Sequence, residues 1–163
     1  MTMSDAQIAV LPYRPCVGVI VLDGLGRVLT GQRIDTQGEA WQMPQGGVEK
    51  GEDPYRAAVR ELGEETGILE DKVAFIRATE DWVTYDLPAD LVGKLWKGRY
   101  RGQKQLWFAF KFLGTDSDVN IATEIPEFRA WRWATRDQVV ADIVPFKRDL
   151  YADVMGRFAD LTG

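Results

Sequence analysis

Three glutamates, Glu61, Glu64 and Glu65, stand at i, i+3 and i+4 within a stretch that reads as a helix. That spacing projects their carboxylates from one face. No Lys or Arg sits on that face to offset them, although Arg60 reaches toward Glu64 and also back one turn toward Arg56. Like charges at i, i+4 cost an isolated helix roughly 0.2–0.5 kcal/mol, so such a face has a use other than helix stability. Clustered carboxylate oxygens suit a hard divalent cation. Gly46-Gly47 lies just ahead, where backbone can approach a ligand closely and take positive φ cheaply. The expectation is a Mg²⁺-binding helix next to a phosphate-binding loop, a pairing that suits attack of water on a phosphate group. Metal ions neutralise the non-bridging oxygens and acidify a bound water, while a carboxylate takes its proton.

The glutamates need a well-bounded helix. Asp53-Pro54 supplies an N-cap and a proline at the first helical position. Gly67 stands where a C′ glycine ends the helix, and Ile68 can pack back on the last turn. The helix is therefore predicted over residues 54–66.

Composition narrows the chemistry. The 163 residues, 45% hydrophobic and 28% charged, suit one globular domain with a proper core. There is no histidine, which removes histidine bases, triads and the common zinc sites. The single cysteine, Cys16, lies in an apolar run and is expected in the core. Any metal must be held by oxygens, which favours Mg²⁺ or Mn²⁺. The net charge of −5 argues against extended binding to a nucleic-acid backbone, but not against recognition of one nucleotide or an RNA 5′ end. No apolar run is long enough to span a bilayer and no signal-peptide pattern opens the chain, so a cytoplasmic protein with no membrane association is expected.

Along the chain, residues 1–12 read as a mobile lead-in and residues 13–160 as a single domain. Residues 16–22 and 27–31 form a predicted hairpin, 35–39 a polar loop, and 40–43 a short strand entering Pro44. Strands are expected over 73–79, 82–85, 106–113 and 130–134, the last with Trp131 and Trp133 facing one way. Residues 87–105 read as a solvated loop with about one helical turn. It carries Lys94, Lys97, Arg99, Arg101 and Lys104, which would alternatively form a positive rim for phosphates. Helices are expected over 137–143 and 146–161, the second with Leu150, Val154, Phe158 and Leu161 on one stripe. The sum is an α/β chain, a mixed sheet between helices.

These residues resemble the box of the Nudix hydrolases: Gly46, Glu52, Arg60-Glu61-Leu62, Glu64-Glu65 and Gly67-Ile68 fill its fixed positions at its spacing. The resemblance implies a Nudix-type α/β/α sandwich and a Mg²⁺- or Mn²⁺-dependent pyrophosphohydrolase. Its substrates are nucleoside diphosphates linked to another moiety. It further implies that Glu61, Glu64 and Glu65 are metal ligands and that Arg60 with Glu52 orients the carboxylates. Outside the box, residues 13–15, 41–47, 82–88, 102–105, 126–128 and 146–148 are similar to the branch containing bacterial RNA pyrophosphohydrolases and asymmetric diadenosine tetraphosphate hydrolases.

Carried over from that branch, Glu127 resembles a further metal-binding glutamate. Arg14, Arg33 and Lys147 resemble contacts to phosphates or 5′ nucleotides. Phe146 resembles a base-stacking aromatic and Tyr85 a polyphosphate contact. The general base stays open between Glu64, Glu65 and Glu127. The leading expectation is an RNA pyrophosphohydrolase releasing pyrophosphate from triphosphorylated 5′ ends and so priming transcript decay. The second is a diadenosine polyphosphate hydrolase giving ATP plus the remaining adenosine phosphate: residues 85–88 and Leu95-Trp96 resemble plant-type dinucleoside tetraphosphate hydrolases, while the loop over 35–40 and the Gln32-Arg33 pair depart from the RNA-acting members. The third is a catalytically silent nucleotide-binding module. No protein partner is inferred.

Overall fold

The computed structural model describes residues 3–35 and 40–162. Its frame is one eight-stranded mixed sheet. The strands are β1 (Tyr13–Leu22), β2 (Val28–Arg33), β3 (Trp41–Gln42), β4 (Gln45–Gly47), β5 (Val73–Ala78), β6 (Val83–Asp86), β7 (Gly102–Phe112) and β8 (Phe128–Ala134). The helices are α1 (Asp5–Ala9), α2 (Pro54–Thr66), α3 (Ala89–Val92), α4 (Arg136–Asp142) and α5 (Arg148–Arg157). The main order is β3-β2-β1-β7-β5, with β4 on β1, β6 on β7 and β8 on β2. β1 and β7 run parallel over ten residue pairs from Tyr13/Gly102 to Leu22/Lys111, while the remaining pairings are antiparallel.

The central strands bury both faces, which is why they read as unbroken apolar runs rather than alternating ones. Along β1, Val17, Val19 and Val21 join a core cluster with Ala57, Ala58 and Leu62 of α2. Ile20 and Leu22 point the other way, into a cluster with Leu150, Val154 and Met155 of α5. β7 alternates in the same sense, Phe108 and Phe110 toward α2, Trp107 and Ala109 toward α5. The sheet is thus a middle layer between α2 and the α4–α5 pair.

The box helix has its expected bounds, Pro54–Thr66. The Asp53 side chain accepts from Arg56 N at 3.2 Å, and Gly67 takes φ 72° as it donates to Gly63 O. Elsewhere boundaries move. β7 begins at Gly102, not at residue 106, because its polar start is held between β1 on one side and β6 on the other. Lys147 precedes α5, which starts at Arg148 after a 3-10 turn over Pro145–Lys147 and ends at Arg157, short of the expected 161. Residues 3–12 contain the capped helix α1, with Ile8 and Leu11 packed against the core. Past Asp35, the polar loop expected to residue 39 lies outside the described residues. Among the described residues, no helix is long and apolar enough to cross a membrane.

Candidate active site

Glu61 and Glu65 lie under the glycine loop because α2 packs against β4. Gly46 and Gly47 are strand residues paired with Val17 and Cys16, and neither takes positive φ, contrary to the freedom expected of them. Glycine is required at residue 46 for space: a β-carbon there would occupy the position of the Glu61 carboxylate. At Gly47 the space belongs to Arg14, whose Nη2 lies 2.5 Å from where a β-carbon would stand.

The three box glutamates do not share one environment. Glu61 and Glu65 are buried, whereas the Glu64 side chain is 57% exposed. At 3.6 residues per turn, Glu65 lies about 40° to one side of Glu61 around the axis and Glu64 about 60° to the other, and it is the Glu61–Glu65 side that faces inward. Nor is the face without a cation. Arg60 donates from Nη1 to Glu61 Oε1 at 2.8 Å and to Glu64 Oε2 at 3.3 Å, and from Nη2 to the Gly47 carbonyl at 2.9 Å. Behind it Glu52 accepts two further bonds, and that pairing with Arg60 brings the Glu52 carboxyl down to about 2.

Positive charge is short at the inner pair. Burial, then the neighbouring Glu64 and Glu127, push the Glu61 carboxyl up to about 7 against the pull of Arg60. Burial and a hydrogen-bonding contact with Glu127 raise Glu65 well above the usual carboxylate range. One Glu65 oxygen accepts from Gln45 N at 3.0 Å; the other, Oε1, is buried and, unless the Glu127 carboxyl carries a proton, has no donor among the described residues. An acceptor facing a second carboxyl needs a donated proton or a cation, and a divalent ion supplies the second. Among the described residues no three ligating side chains close into a cage. Mg²⁺ does not require one, since it keeps several waters and uses one or two carboxylates together with substrate phosphates. The donor set of Glu61, Glu65 and Glu127, with Glu64 on the solvent side, fits a hard divalent ion of that kind.

A cleft of about 580 Å³ opens beside these carboxylates, a size suited to a nucleotide. Glu61, Glu127, Gly46 and Gly47 line one part of it, together with Arg14, Arg33 and Lys147. Tyr85 and Phe146 stand on its wall, ring centroids 6.2 Å apart, with Lys147 Nζ 5.4 Å from the first centroid and 5.9 Å from the second. Burial and the nearby Arg33 bring the Lys147 ammonium down to about 8. Arg33 itself pairs with Asp35, at 2.7 and 2.5 Å, within the fields of Glu127 and Glu65. Nine of the residues singled out in the sequence thus meet in one cleft. Arg60 and Glu64 instead line an adjoining cavity, also of about 580 Å³, which shares Glu127 with the cleft.

The sequence did not point to Gln42, Gln45 and Gln103, which line the cleft as well. Gln42 Nε2 and Gln45 Oε1 are buried with no hydrogen-bond partner among the described residues. Their signal was faint: polar residues placed between apolar ones in short strands. The stretch rich in Lys and Arg contributes Leu91, Leu95 and Trp96 to the cleft rather than its cations. Arg101 is paired with Asp86 at 2.9 Å, and Lys104 lies 4.7 Å over the Trp82 ring.

A family model described as the NUDIX domain matches residues 12–154. The chain is 60% identical over 156 residues to an RNA pyrophosphohydrolase of Roseobacter denitrificans, covering 96% of this chain and 98% of that one. It is 56% identical over 158 residues to an RNA pyrophosphohydrolase of Dinoroseobacter shibae, covering 97% and 99%. Among solved structures, the E. coli dihydroneopterin triphosphate pyrophosphohydrolase superposes with a TM-score of 0.69 at 22% identity, over 90% of this chain and 99% of that one. A C. elegans Ap4A hydrolase binary complex does so with a TM-score of 0.65 at 20% identity, over 90% and 98%. At such identities the structural likeness speaks for the fold alone.

Proposed function

The chain belongs to the Nudix family of metal-dependent hydrolases, and from that premise we propose that it is an RNA pyrophosphohydrolase. It removes pyrophosphate from the 5′-triphosphate end of RNA and leaves a 5′-monophosphate end that primes transcript decay. The observation that carries this reading is the division of one cleft: carboxylates at Glu61 and Glu127, cations at Arg14, Arg33 and Lys147, and apolar walls at Leu91, Val144 and Phe146. A nucleotide with a polyphosphate tail has the same three parts. A cytoplasmic setting goes with this reading, since transcripts are made there.

In this assignment Arg14, Arg33 and Lys147 bind the phosphates, and Gly46-Gly47 let them approach the backbone. Phe146 stacks on a base, and Tyr85 sits beside the phosphates. Glu61, Glu64, Glu65 and Glu127 would hold Mg²⁺ or Mn²⁺, which when bound neutralises the transferred phosphoryl group and acidifies a water. Arg60, tied to Glu52, fixes the Glu61 carboxylate and keeps Glu64 near it. Water adds to phosphorus as the phosphoanhydride P–O bond breaks, its proton passing to one of Glu64, Glu65 or Glu127 and pyrophosphate leaving.

The adjoining cavity favours a second reading, hydrolysis of diadenosine tetraphosphate. Its Val59, Leu69 and Ile125 give apolar surface on the far side of Glu127 for a second nucleoside. Side-by-side kcat/KM values for 5′-triphosphate RNA and diadenosine tetraphosphate decide between them. The RNA reading predicts the higher value for RNA; a preference above about a hundredfold for the dinucleotide overturns it. Absence of turnover on either, with Mg²⁺ or Mn²⁺ present, would leave a silent nucleotide-binding module.

A further inference from the structure

The excursion between β6 and β7 is anchored at its base and unusual at its tip. At the base, Leu87 N donates to Arg101 O at 2.9 Å and Arg101 N to Pro12 O at 3.0 Å. Tyr13 Oη and Arg101 Nε both donate to Asp86 Oδ1, each at 2.9 Å. At the tip, Trp96 takes φ 50° and Lys97 φ 59°, two successive non-glycine residues in the left-handed region. For bulky side chains that conformation is a genuine outlier, and such strain gathers where a side chain must be aimed.

What the tip aims is an indole. Trp96 is half-buried on the cleft wall and packs partly against the core. Tyr100 meets its ring edge-on, centroids 6.2 Å apart at 77°, which fixes the plane. The Arg14 guanidinium carbon lies 5.4 Å from the indole centroid, and the same guanidinium abuts Gly47. Arg14 therefore links the ring to the phosphate-approach loop. Because that guanidinium lies over the ring, a base stacking on Trp96 would use indole surface that Arg14 leaves open, with Arg14 beside it.

We infer that Trp96 is a nucleobase platform, a specificity-determining residue that holds the 5′-terminal base of the substrate while Arg14 holds its phosphates. The assignment rests on the cleft being a nucleotide site, as proposed above, and not on which nucleotide is turned over. A stacking platform discriminates by aromatic surface and not by charge, so it predicts loss of nucleotide affinity without loss of phosphate affinity.

Equilibrium binding of AMP and of inorganic phosphate to the full chain tests this, with Trp96→Leu and Trp96→Phe beside wild type. Trp96→Leu should weaken AMP about tenfold or more and leave phosphate within about twofold, while Trp96→Phe should keep AMP within about threefold. Unchanged AMP affinity in Trp96→Leu overturns the inference. So does an equal loss for AMP and phosphate, which would make Trp96 a support for Arg14 only. If Trp96→Leu does not fold, wild type carrying 5-fluorotryptophan decides. The resonance missing from Trp96→Phe must shift further with AMP than with phosphate; an equal shift with both, or no shift with AMP, rejects the platform. Turnover of 5′-triphosphate RNA by wild type is measured in parallel. Its absence would retire the RNA reading while leaving the AMP result to judge Trp96.

Discussion

Arg60 donates two parallel hydrogen bonds to Glu52, Nε to Oε2 and Nη2 to Oε1, both at 2.9 Å. The guanidinium is used on every side, for its remaining donors reach Glu61, Glu64 and the Gly47 carbonyl. Lysine carries the charge but not the planar fork, so it cannot give Glu52 two parallel hydrogen bonds and still reach Glu61, Glu64 and the Gly47 carbonyl. Arg60→Lys should therefore lower kcat by about ten- to hundredfold by letting the carboxylates drift. Initial rates with 5′-triphosphate RNA check this, alongside circular dichroism showing an unchanged fold.

Glu64 is the exposed member of the box and makes no core contact that its loss would remove. Glu64→Gln should reduce kcat by orders of magnitude while the melting temperature stays where it was, since charge at the site is lost and packing is not. Equal kcat for the variant and wild type would remove Glu64 from the site.

Gly67 answers a structural demand. Its φ is 72°, and a β-carbon would stand 2.9 Å from Asn120 O, in a segment where Asn120 N already donates to Thr66 O at 2.7 Å. Gly67→Ala should cost about 1–2 kcal/mol from the left-handed conformation alone. Differential scanning calorimetry should show a melting temperature lower by several degrees.

The box helix was legible because every signal for it is local: a cap, a proline and a glycine, each within a turn of the residues it controls. What surrounds the helix was less so. β4 is a strand only because β1 supplies partners for Gln45, Gly46 and Gly47, and a Gln-Gly-Gly triplet has no strand pattern of its own. The start of β7, Gly102-Gln103-Lys104-Gln105, is extended by pairing on both sides for the same reason. Residues 87–105 read first as a solvated loop, with a positive rim as the alternative. Its cations are conspicuous in sequence, yet it is Leu91, Leu95 and Trp96 that the fold turns into the cleft. The residues alone place Arg60 beside Glu64 and Arg56, and only the family resemblance pairs it with Glu52. Its principal partner, Glu52, lies eight residues back and is reached only once the loop folds over the helix.

Lys147 gives a pH dependence. Its ammonium is brought down to about 8 by burial and by Arg33, so the charge offered to a phosphate is present below pH 8 and lost above it. KM for RNA should rise as pH passes through that value, and Lys147→Met should flatten the rise. Folding has the opposite sign. Between about pH 8 and 10.5 the unfolded chain keeps a proton that the folded one has released, so stability does not fall with the affinity. Thermal melts at pH 7 and 9 separate the two effects.

Glu65 is fully buried, with one oxygen held by Gln45 N and the other given no donor among the described residues. The most direct measurement is calorimetric titration of Mg²⁺ and Mn²⁺ into wild type and Glu65→Gln, with pyrophosphate release from 5′-triphosphate RNA followed on the same samples. Wild type should take up the ion and release pyrophosphate, and Glu65→Gln should lose both together while remaining folded. Ion uptake and turnover that survive in Glu65→Gln would contradict the assignment of this buried carboxylate to the metal.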